Sequence, residues 1–270
     1  MKNLLKQLLV PIAKPVLSKV HKYKDAHKGE SCYLIGDGAS IKWFDLSKFS
    51  DKTSIPCAFI PFHKEFNKLS VQHLSIAEPW WFYPFERDPA VVGDFKFNPR
   101  QLMYREVIKK YKNKNFFVNL SNYPVLGSNN ITYIFKDFHD YRLNDNFITR
   151  RLNGFHGSLR SSITLAIYMG FEHVYLVGYD YTHIPSRTGH WYERGEGIKL
   201  PHENYNEDFF SVAKEFIDIT TITLTGSSKY LNHVTYKDFT GADPLYRENI
   251  ELANHEHLKV LDTWSGYEIF

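Results

Sequence analysis

The sequence predicts an α/β fold in which helices cover both faces of a mostly parallel sheet. Short apolar runs alternate with helical patterns along most of the 270 residues. A glycine turn directly follows the first of these runs, and a later stretch joins a helix, a glycine stop and a buried strand. Strands that alternate with helices are usually joined by crossovers, which favour parallel pairing. We therefore expect a single Rossmann-like sheet.

Residues 1–28 are predicted to form a basic amphipathic helix, and residues 29–270 the α/β domain. Apolar residues from Leu4 to Val20 recur at helical spacing, with lysines beside them. Such a helix lies in the interface of an anionic membrane, or it packs on its own domain or on a partner subunit. The pattern leaves both alternatives open.

The segment Ser31–Ser40, SCYLIGDGAS, predicts a strand followed by a tight turn. Glycine at 36 and 38 would let the backbone approach a ligand closely, and Ser40 could cap the element that follows. Further elements are a strand within 53–62, a helix over 101–112 and a strand over 115–120 that leads into Ser121 and Asn122.

The stretch 157–181 is the strongest local pattern. Gly157 and Ser158 precede a helix that ends at Gly170, and a buried strand over 174–177 follows. Asp180 then lies at the carboxyl end of that strand. Ligands bind open α/β sheets outside the carboxyl ends of strands and at helix N-termini. An ordinary core unit, with Ser158 as a cap and Asp180 as a turn residue, fits the same pattern.

The segment 182–203 is rich in glycine, proline and histidine, and we expect a lid over a site. Residues 131–153 are predicted as loop with short helices, because their polar and aromatic residues lack a clear period. A helix over 207–217 and a strand over 221–225 follow. The last 30 residues show no pattern that predicts an element.

Composition excludes several classes of protein. The net charge of +3 is too small to indicate a nucleic-acid partner. The sequence has two cysteines, too few for a disulfide framework or a cysteine-based zinc site. It contains no Asp-x-Asp pair, the motif that would indicate a bound divalent ion. The pair His255 and His257 is better explained as solvated surface than as a metal site. We expect a cytoplasmic protein, peripheral on the inner face of the membrane if residues 1–28 lie there.

Five stretches in this order resemble the bacterial family 42 sialyltransferases and, more loosely, the wider sialyltransferase-like glycosyltransferases of surface-polysaccharide synthesis. They are the glycine loop LIGDGASIKWFD, Ser121-Asn-Tyr123, the unit 157–181, the helix after His202, and the strand with its serine-rich turn at 221–228. The resemblance covers about residues 31–240. Asp37 and Glu78 stand where that family usually has asparagine, and Ala58 replaces a polar residue.

This resemblance implies a sialyltransferase-like variant of the GT-A type fold and an inverting transfer of an acid sugar from a CMP donor to a glycan or glycolipid acceptor. No metal or cofactor is implied, because hydroxyl groups and helix amides can stabilise a leaving phosphate. The donor contacts implied by the resemblance and the local patterns together are Gly36, Asp37, Gly38, Ala39, Ser40, Ser121, Asn122, Gly157, Ser158 and Asp180.

The catalytic candidates follow from the same comparison. His202 lies near the position of the family's catalytic histidine, and His190 is a second candidate from its place between glycines. Histidine suits the role because its ordinary pKa is closest to neutrality. Tyr181 and Tyr192 are implied to contact the leaving phosphate, and Glu78 is a candidate for contact with the acceptor.

Two other functions remain open from the sequence. A 6-hydroxymethylpterin diphosphokinase-like enzyme would share the glycine loop and the Gly-x-Asp unit, although clustered carboxylates for magnesium are lacking in the sequence pattern. A non-catalytic subunit that binds a nucleotide sugar is the second alternative. Whether the protein forms a homo-oligomer is also open.

Overall fold

The computed structural model describes residues 13–87, 95–135, 157–202, 207–264 and 267–270. Its strands are β1 (Ser31–Ile35), β2 (Thr53–Pro56), β3 (Ser70–Val71), β4 (His73–Ile76), β5 (Phe85–Arg87), β6 (Phe95–Phe97), β7 (Asn115–Asn119), β8 (Ile131–Ile134), β9 (His173–Val177), β10 (Ser186–Arg187), β11 (Lys199–Leu200), β12 (Asp218–Thr223) and β13 (Asn232–Thr235). Its α-helices, beyond helical residues 13–17, are α1 (Arg100–Lys110), α2 (Ser158–Tyr168), α3 (Glu207–Ala213), α4 (Tyr236–Thr240), α5 (Asn249–Leu252) and α6 (His255–Trp264).

A parallel sheet runs through the centre of the protein. Six strands lie in the order β13-β12-β9-β1-β2-β3, and every pairing among them is parallel. Strands β4, β7 and β8 form a second parallel group. A parallel bridge between Cys57, directly after β2, and Ser75 of β4 links the two groups. The predicted mostly parallel sheet is therefore confirmed.

Both faces of the sheet are buried, because alternate side chains of β1 enter two different apolar cores. Tyr33 and Ile35 belong to one core, which also contains residues of α1 and α6. Cys32 and Leu34 belong to the other, which contains residues of α2 and α3. Successive side chains of a strand point to opposite faces, so helices cover the sheet on both sides. This confirms the predicted α/β class.

The chain order places a crevice between β1 and β9. From β1 the chain proceeds outward through β2 and then through the β4, β7 and β8 group. It then returns to β9 on the opposite side of β1 and continues outward to β12 and β13. Open α/β sheets bind ligands outside the carboxyl ends of the strands at such a reversal. The turns after β1 and β9 therefore occupy the position expected for a site.

The structure differs from the predicted elements in three places. Residues 131–134 form strand β8, in which all four side chains are buried, rather than loop. The rest of the predicted loop, except Phe135, lies outside the described residues. The helix predicted over 207–217 ends at Ala213, and the strand predicted over 221–225 is β12, which begins earlier, at Asp218, and ends at Thr223. Helix α6 occupies the C-terminal region, where the sequence showed no pattern, and buries Leu258 and Leu261.

The described part of the N-terminal segment packs on the domain. Leu17 and Val20 are buried, each in one of the two cores. The backbone N–H of Asp25 donates to the carbonyl of Tyr168 at 3.1 Å, just beyond the segment's helical turns. Residues 1–12 of the predicted amphipathic helix lie outside the described residues. None of the helices in the described ranges combines the length and apolarity needed to cross a bilayer.

Candidate functional site

A cavity of about 350 Å³ opens at the carboxyl ends of β1 and β9. Its wall includes the turns after these two strands, residues 58 and 59 after β2, and the first residues of α2. Glu78 and Trp81 close one side, and residues of the predicted lid together with Tyr267 close another. The cavity thus lies at the reversal in strand order, where the topology predicts a ligand.

The turns after β1 and β9 interlock through glycine. The N–H of Gly36 donates to the carbonyl of Val177, and that of Gly38 donates to the carbonyl of Gly178, each at 2.8 Å. A Cβ atom on Gly36 or Gly38 would lie 2.6 Å from the Gly178 oxygen, closer than real Cβ contacts. The contact between the turns therefore requires these glycines, independently of any ligand.

Asp180 secures the same junction. Its carboxylate accepts hydrogen bonds from the backbone N–H of Ser40 at 2.8 Å and from the Ser40 hydroxyl. Asp180 is buried and lies in the cavity wall, with His183 Nδ1 4.0 Å from its carboxylate. Ala39 and Ser40 are buried beneath the turn and lie outside the wall. Asp180 consequently holds the glycine loop in place, and the part of that loop formed by Asp37 and Gly38 borders the cavity.

Asp37 joins three segments through one half-buried side chain. Its carboxylate accepts from the Phe59 N–H at 2.9 Å and from the Trp191 indole N–H at 3.1 Å. The Trp191 backbone N–H also donates to the Asp37 carbonyl at 3.0 Å. Burial raises the pKa of Asp37 to about 6, although these hydrogen bonds favour the ionised form. The predicted lid is thus attached to the glycine loop through Trp191.

Glu78 lies in the cavity wall, and one of its carboxyl oxygens is unsatisfied among the described residues. Its Oε2 atom is buried and has no hydrogen-bond partner in the part of the chain that the structure describes. Burial raises the pKa of Glu78 to about 7; the charge of Asp37 adds to the shift, and that of Arg100 opposes it. A carboxyl group with this pKa can accept or donate a proton near neutral pH. A bound hydroxyl group would also satisfy its buried oxygen.

An aromatic group from the lid and the C-terminus forms another wall. The His190 ring stacks on Tyr192 with centroids 4.9 Å apart and planes 9° apart. Tyr267 contacts both rings edge-on. His190 Nδ1 pairs with the Glu193 carboxylate, so Nε2 is the ring nitrogen left for a substrate. This pairing would hold the imidazole in one orientation, as a catalytic base requires.

Tyr181 and Tyr192 both lie in the wall, with different exposure. Tyr181 is 40% exposed at the cavity, whereas Tyr192 is buried. Burial raises the pKa of each phenol above its ordinary value. Both therefore keep their protons at neutral pH. The Tyr181 hydroxyl can donate a hydrogen bond to an anionic group, whereas the buried Tyr192 hydroxyl donates to Tyr267.

The N-terminus of α2 also faces the cavity. Gly157 has φ +89° and precedes Ser158, the first residue of the helix, and both lie in the wall. Its N-cap residue is Gly157, which has no side chain to cap this end, and the first backbone N–H groups of a helix have no intrahelical acceptor. The arrangement favours an anion at this point.

The structure brings most of the sequence-predicted site residues together. Nine of them lie in the wall: Asp37, Gly38, Glu78, Gly157, Ser158, Asp180, Tyr181, His190 and Tyr192. Six do not: Gly36, Ala39, Ser40, Ser121, Asn122 and His202. Of these six, His202 alone is exposed at the protein surface.

Ser121 and Asn122 support the cavity indirectly by holding the loop that follows β4. The Ser121 hydroxyl accepts from the Trp80 N–H at 2.9 Å. The Asn122 side chain accepts from the Phe82 N–H at 2.9 Å and donates to the Glu78 carbonyl at 3.2 Å. These bonds fix the backbone on both sides of Trp81, which lies in the wall.

Sequence reasoning missed several wall residues. Phe59, Trp81, Arg187 and Tyr267 line the cavity but belonged to no predicted site. The aromatic run after Glu78 was a usable signal for Trp81, since an acidic residue followed by clustered aromatics is typical of a saccharide or nucleoside site. Tyr267 had no local signal, because it reaches the cavity only through packing of the C-terminus.

The fold and cavity define an α/β protein with a cavity at the reversal of its strand order. No protein-family model matches the chain, and no curated protein matches it. Among solved structures, the chain is similar to the MAf glycosyltransferase from Magnetospirillum magneticum AMB-1, with a TM-score of 0.45 and 13% sequence identity. The match covers 91% of this chain and 40% of that one, so this chain spans less than half of that protein's length.

Proposed function

We propose that the protein is a glycosyltransferase that moves a sugar from a CMP donor to a glycan or glycolipid acceptor of a bacterial surface polysaccharide. The observation that carries this proposal is the convergence in one cavity of a helix N-terminus with glycine as its N-cap, hydroxyl donors, and a buried carboxyl oxygen that has no partner among the described residues. The sequence resemblance adds the donor class, an eight- or nine-carbon acid sugar linked to CMP. Inversion and independence from metal are parts of the same proposal.

The leaving group would be bound at the start of α2. Breaking the bond to the sugar leaves a negative charge on the CMP phosphate, and this charge needs nearby hydrogen-bond donors. Ser158, the amides of the first helical turn and the hydroxyl of Tyr181 border the cavity and can supply them. Arg187 adds a positive charge to the same wall. This set of donors supports transfer without a divalent ion.

His190 is the proposed base. It lies in the cavity wall with Nδ1 paired to Glu193, whereas His202 is exposed and outside the wall. The imidazole would take the proton of the attacking hydroxyl as that oxygen bonds to the anomeric carbon. Inversion follows if His190 and the departing phosphate lie on opposite faces of the sugar. Glu78 would accept a hydrogen bond from the acceptor and fix its position.

Purified protein incubated with CMP-linked acid sugars and mixed glycan acceptors tests the proposal. Release of CMP with a matching mass increase of an acceptor would support it. His190→Ala should abolish most of this activity, and His202→Ala is the matched control for loss of a histidine outside the cavity.

Other outcomes contradict the proposal in distinct ways. AMP formed from ATP and 6-hydroxymethylpterin would favour the diphosphokinase alternative. Binding of CMP-sugar without any turnover would favour a non-catalytic subunit. Absence of both binding and turnover would remove the donor assignment altogether.

A further inference from the structure

Two consecutive tryptophans have opposite environments beside the cavity. Trp81 is 7% exposed and lies in the cavity wall. Trp80 is 61% exposed, and its ring meets that of Tyr83 edge-on with centroids 5.5 Å apart. We call Trp80 and Tyr83 the rim platform. Trp80 and Tyr83 lie outside the wall, but Trp80 directly precedes Trp81 of the wall in the chain, so the platform is next to the cavity.

The backbone holds Trp80 in this exposed position at a conformational cost. Its φ is +63°, in the left-handed region that bulky side chains rarely adopt. The Trp80 N–H donates to the Ser121 hydroxyl at 2.9 Å, and the Tyr83 N–H donates to the Trp80 carbonyl at 3.1 Å. The Tyr83 hydroxyl donates to the Ser121 carbonyl at 3.3 Å, so the same serine anchors both members. Strained backbone of this kind is found mainly at functional sites.

We propose that the rim platform binds the acceptor glycan by stacking a neutral pyranose ring on Trp80. This inference rests on the proposed function, because an acceptor must reach the cavity from its edge. One residue, Pro79, separates Glu78 from Trp80, so their Cα atoms lie at most about 7 Å apart. That distance is comparable to one sugar unit. A saccharide on the platform can therefore present its next hydroxyl to Glu78, whose buried oxygen has no partner among the described residues.

The chemistry of the platform favours a neutral saccharide. A flat aromatic face binds the C–H face of a sugar, while the indole N–H and the phenol hydroxyl at the ring edges suit sugar hydroxyls. Neither ring carries a charge. Membrane-surface sites instead usually combine apolar residues with lysine or arginine. The platform itself has no such residue.

Saturation-transfer NMR with lactose, cellobiose and N,N′-diacetylchitobiose tests the platform without any donor sugar. We expect at least one disaccharide to bind the full-length protein. Trp80→Ala should weaken that binding by about five- to tenfold, the loss expected for one aromatic stacking contact. Trp80→Phe should retain most of it, and Phe95→Ala, which removes an aromatic that is 70% exposed on β6, should leave it unchanged. The circular dichroism spectrum and thermal unfolding midpoint of Trp80→Ala should match those of the parent and show that the variant is folded.

The outcomes separate this inference from the proposed function. Disaccharide binding that depends on Trp80, in a protein that turns over no CMP-sugar, would retain the platform and reject the donor. Equal binding by Trp80→Ala and the parent would overturn the platform, as would binding of none of the three disaccharides. Sedimentation with phosphatidylcholine vesicles that is lost in Trp80→Ala would instead assign the platform to a membrane.

Discussion

Replacing Glu78 with glutamine removes a charge that the folded protein holds at a disadvantage. Burial raises the pKa of this carboxyl group from its ordinary value of 4.5 to about 7. The protonated group is therefore favoured by folding, and its contribution to stability is complete below pH 4.5. That contribution is lost as the pH rises through about 7. At pH 8 the parent must keep an ionised carboxylate in a site that disfavours it.

The size of the effect follows from the shift. One pKa unit corresponds to about 1.4 kcal/mol, so a shift from 4.5 to about 7 amounts to roughly 3 kcal/mol. Glu78→Gln should be more stable than the parent at pH 8 by up to about this amount. For a chain of this size the midpoint of thermal unfolding should rise by roughly 6–12 °C. At pH 4.5, where Glu78 is protonated in the folded state and half protonated in the unfolded state, the difference should fall to about 0.4 kcal/mol.

Thermal unfolding followed by circular dichroism at pH 4.5, 6 and 8 measures the effect as a difference between variant and parent. Glu256→Gln is the matched control, because its carboxylate is exposed in a surface pair with Lys259 and should change stability little at any pH. A gain for Glu78→Gln that is equally large at pH 4.5 would show that ionisation is not its cause. Equal stability at pH 8 would refute the burial argument. Transfer activity should fall in the stabilised variant.

Further predictions concern the mechanism, the glycine turns beside the cavity and the N-terminal segment. If hydroxyl groups and helix amides stabilise the leaving CMP, activity should survive excess EDTA; a tenfold loss restored by magnesium would contradict this. His190→Ala should lower kcat by about 10²–10⁴-fold and remove the ascending limb of the pH–rate profile, whereas His202→Ala should change kcat less than about threefold; the reverse order would reassign the base. Gly38→Ala should cost about 1–3 kcal/mol in urea unfolding, since its Cβ would lie 2.6 Å from the Gly178 oxygen, and unchanged stability would disprove the interlock. Deleting residues 1–12 should leave a folded enzyme that no longer sediments with anionic vesicles, and unchanged sedimentation would remove the membrane role of this segment.

The parts of the fold that could be predicted depend on short-range patterns. The helical spacing in 158–169, the stop at Gly170 and the buried run that follows all act within a few residues, and the structure has helix α2 and strand β9 there. The turn at Gly36 and Gly38 was predicted for the same reason. Alternation of strands and helices then sufficed to predict parallel pairing, because crossover geometry permits little else.

Elements and contacts that depend on distant parts of the chain could not be predicted. The strand Ile131–Ile134 contains four residues, and its burial comes from pairing with β7 rather than from its own period. Tyr267 reaches the cavity because Asn249 donates a hydrogen bond to the Ile269 carbonyl and so holds the C-terminus there. No local pattern encodes either contact.

Some residues were identified for a reason that differs from the one the structure shows. The glycines at 36 and 38 were interpreted as room for a ligand, and the structure uses them for contact between two turns. His202 was selected by its place before a helix, yet it is exposed and outside the cavity. Position along the chain does not determine which residues of a loop face a site. In the lid, the hydrogen bond from Trp191 to Asp37 holds the segment that contains His190 against the cavity.

The interlock of the two turns restricts some positions of this protein to glycine and leaves other positions free to vary. A methyl group at Gly36, Gly38 or Gly178 would push the two turns apart whatever lies in the cavity, so substitution at these positions costs stability. Glu78 and Tyr267 also line the cavity but are under no such restriction from the turns. The residues that line the cavity can therefore change while the contact between the turns stays constant. Among homologues we expect the three glycines to vary less than Glu78 and Tyr267.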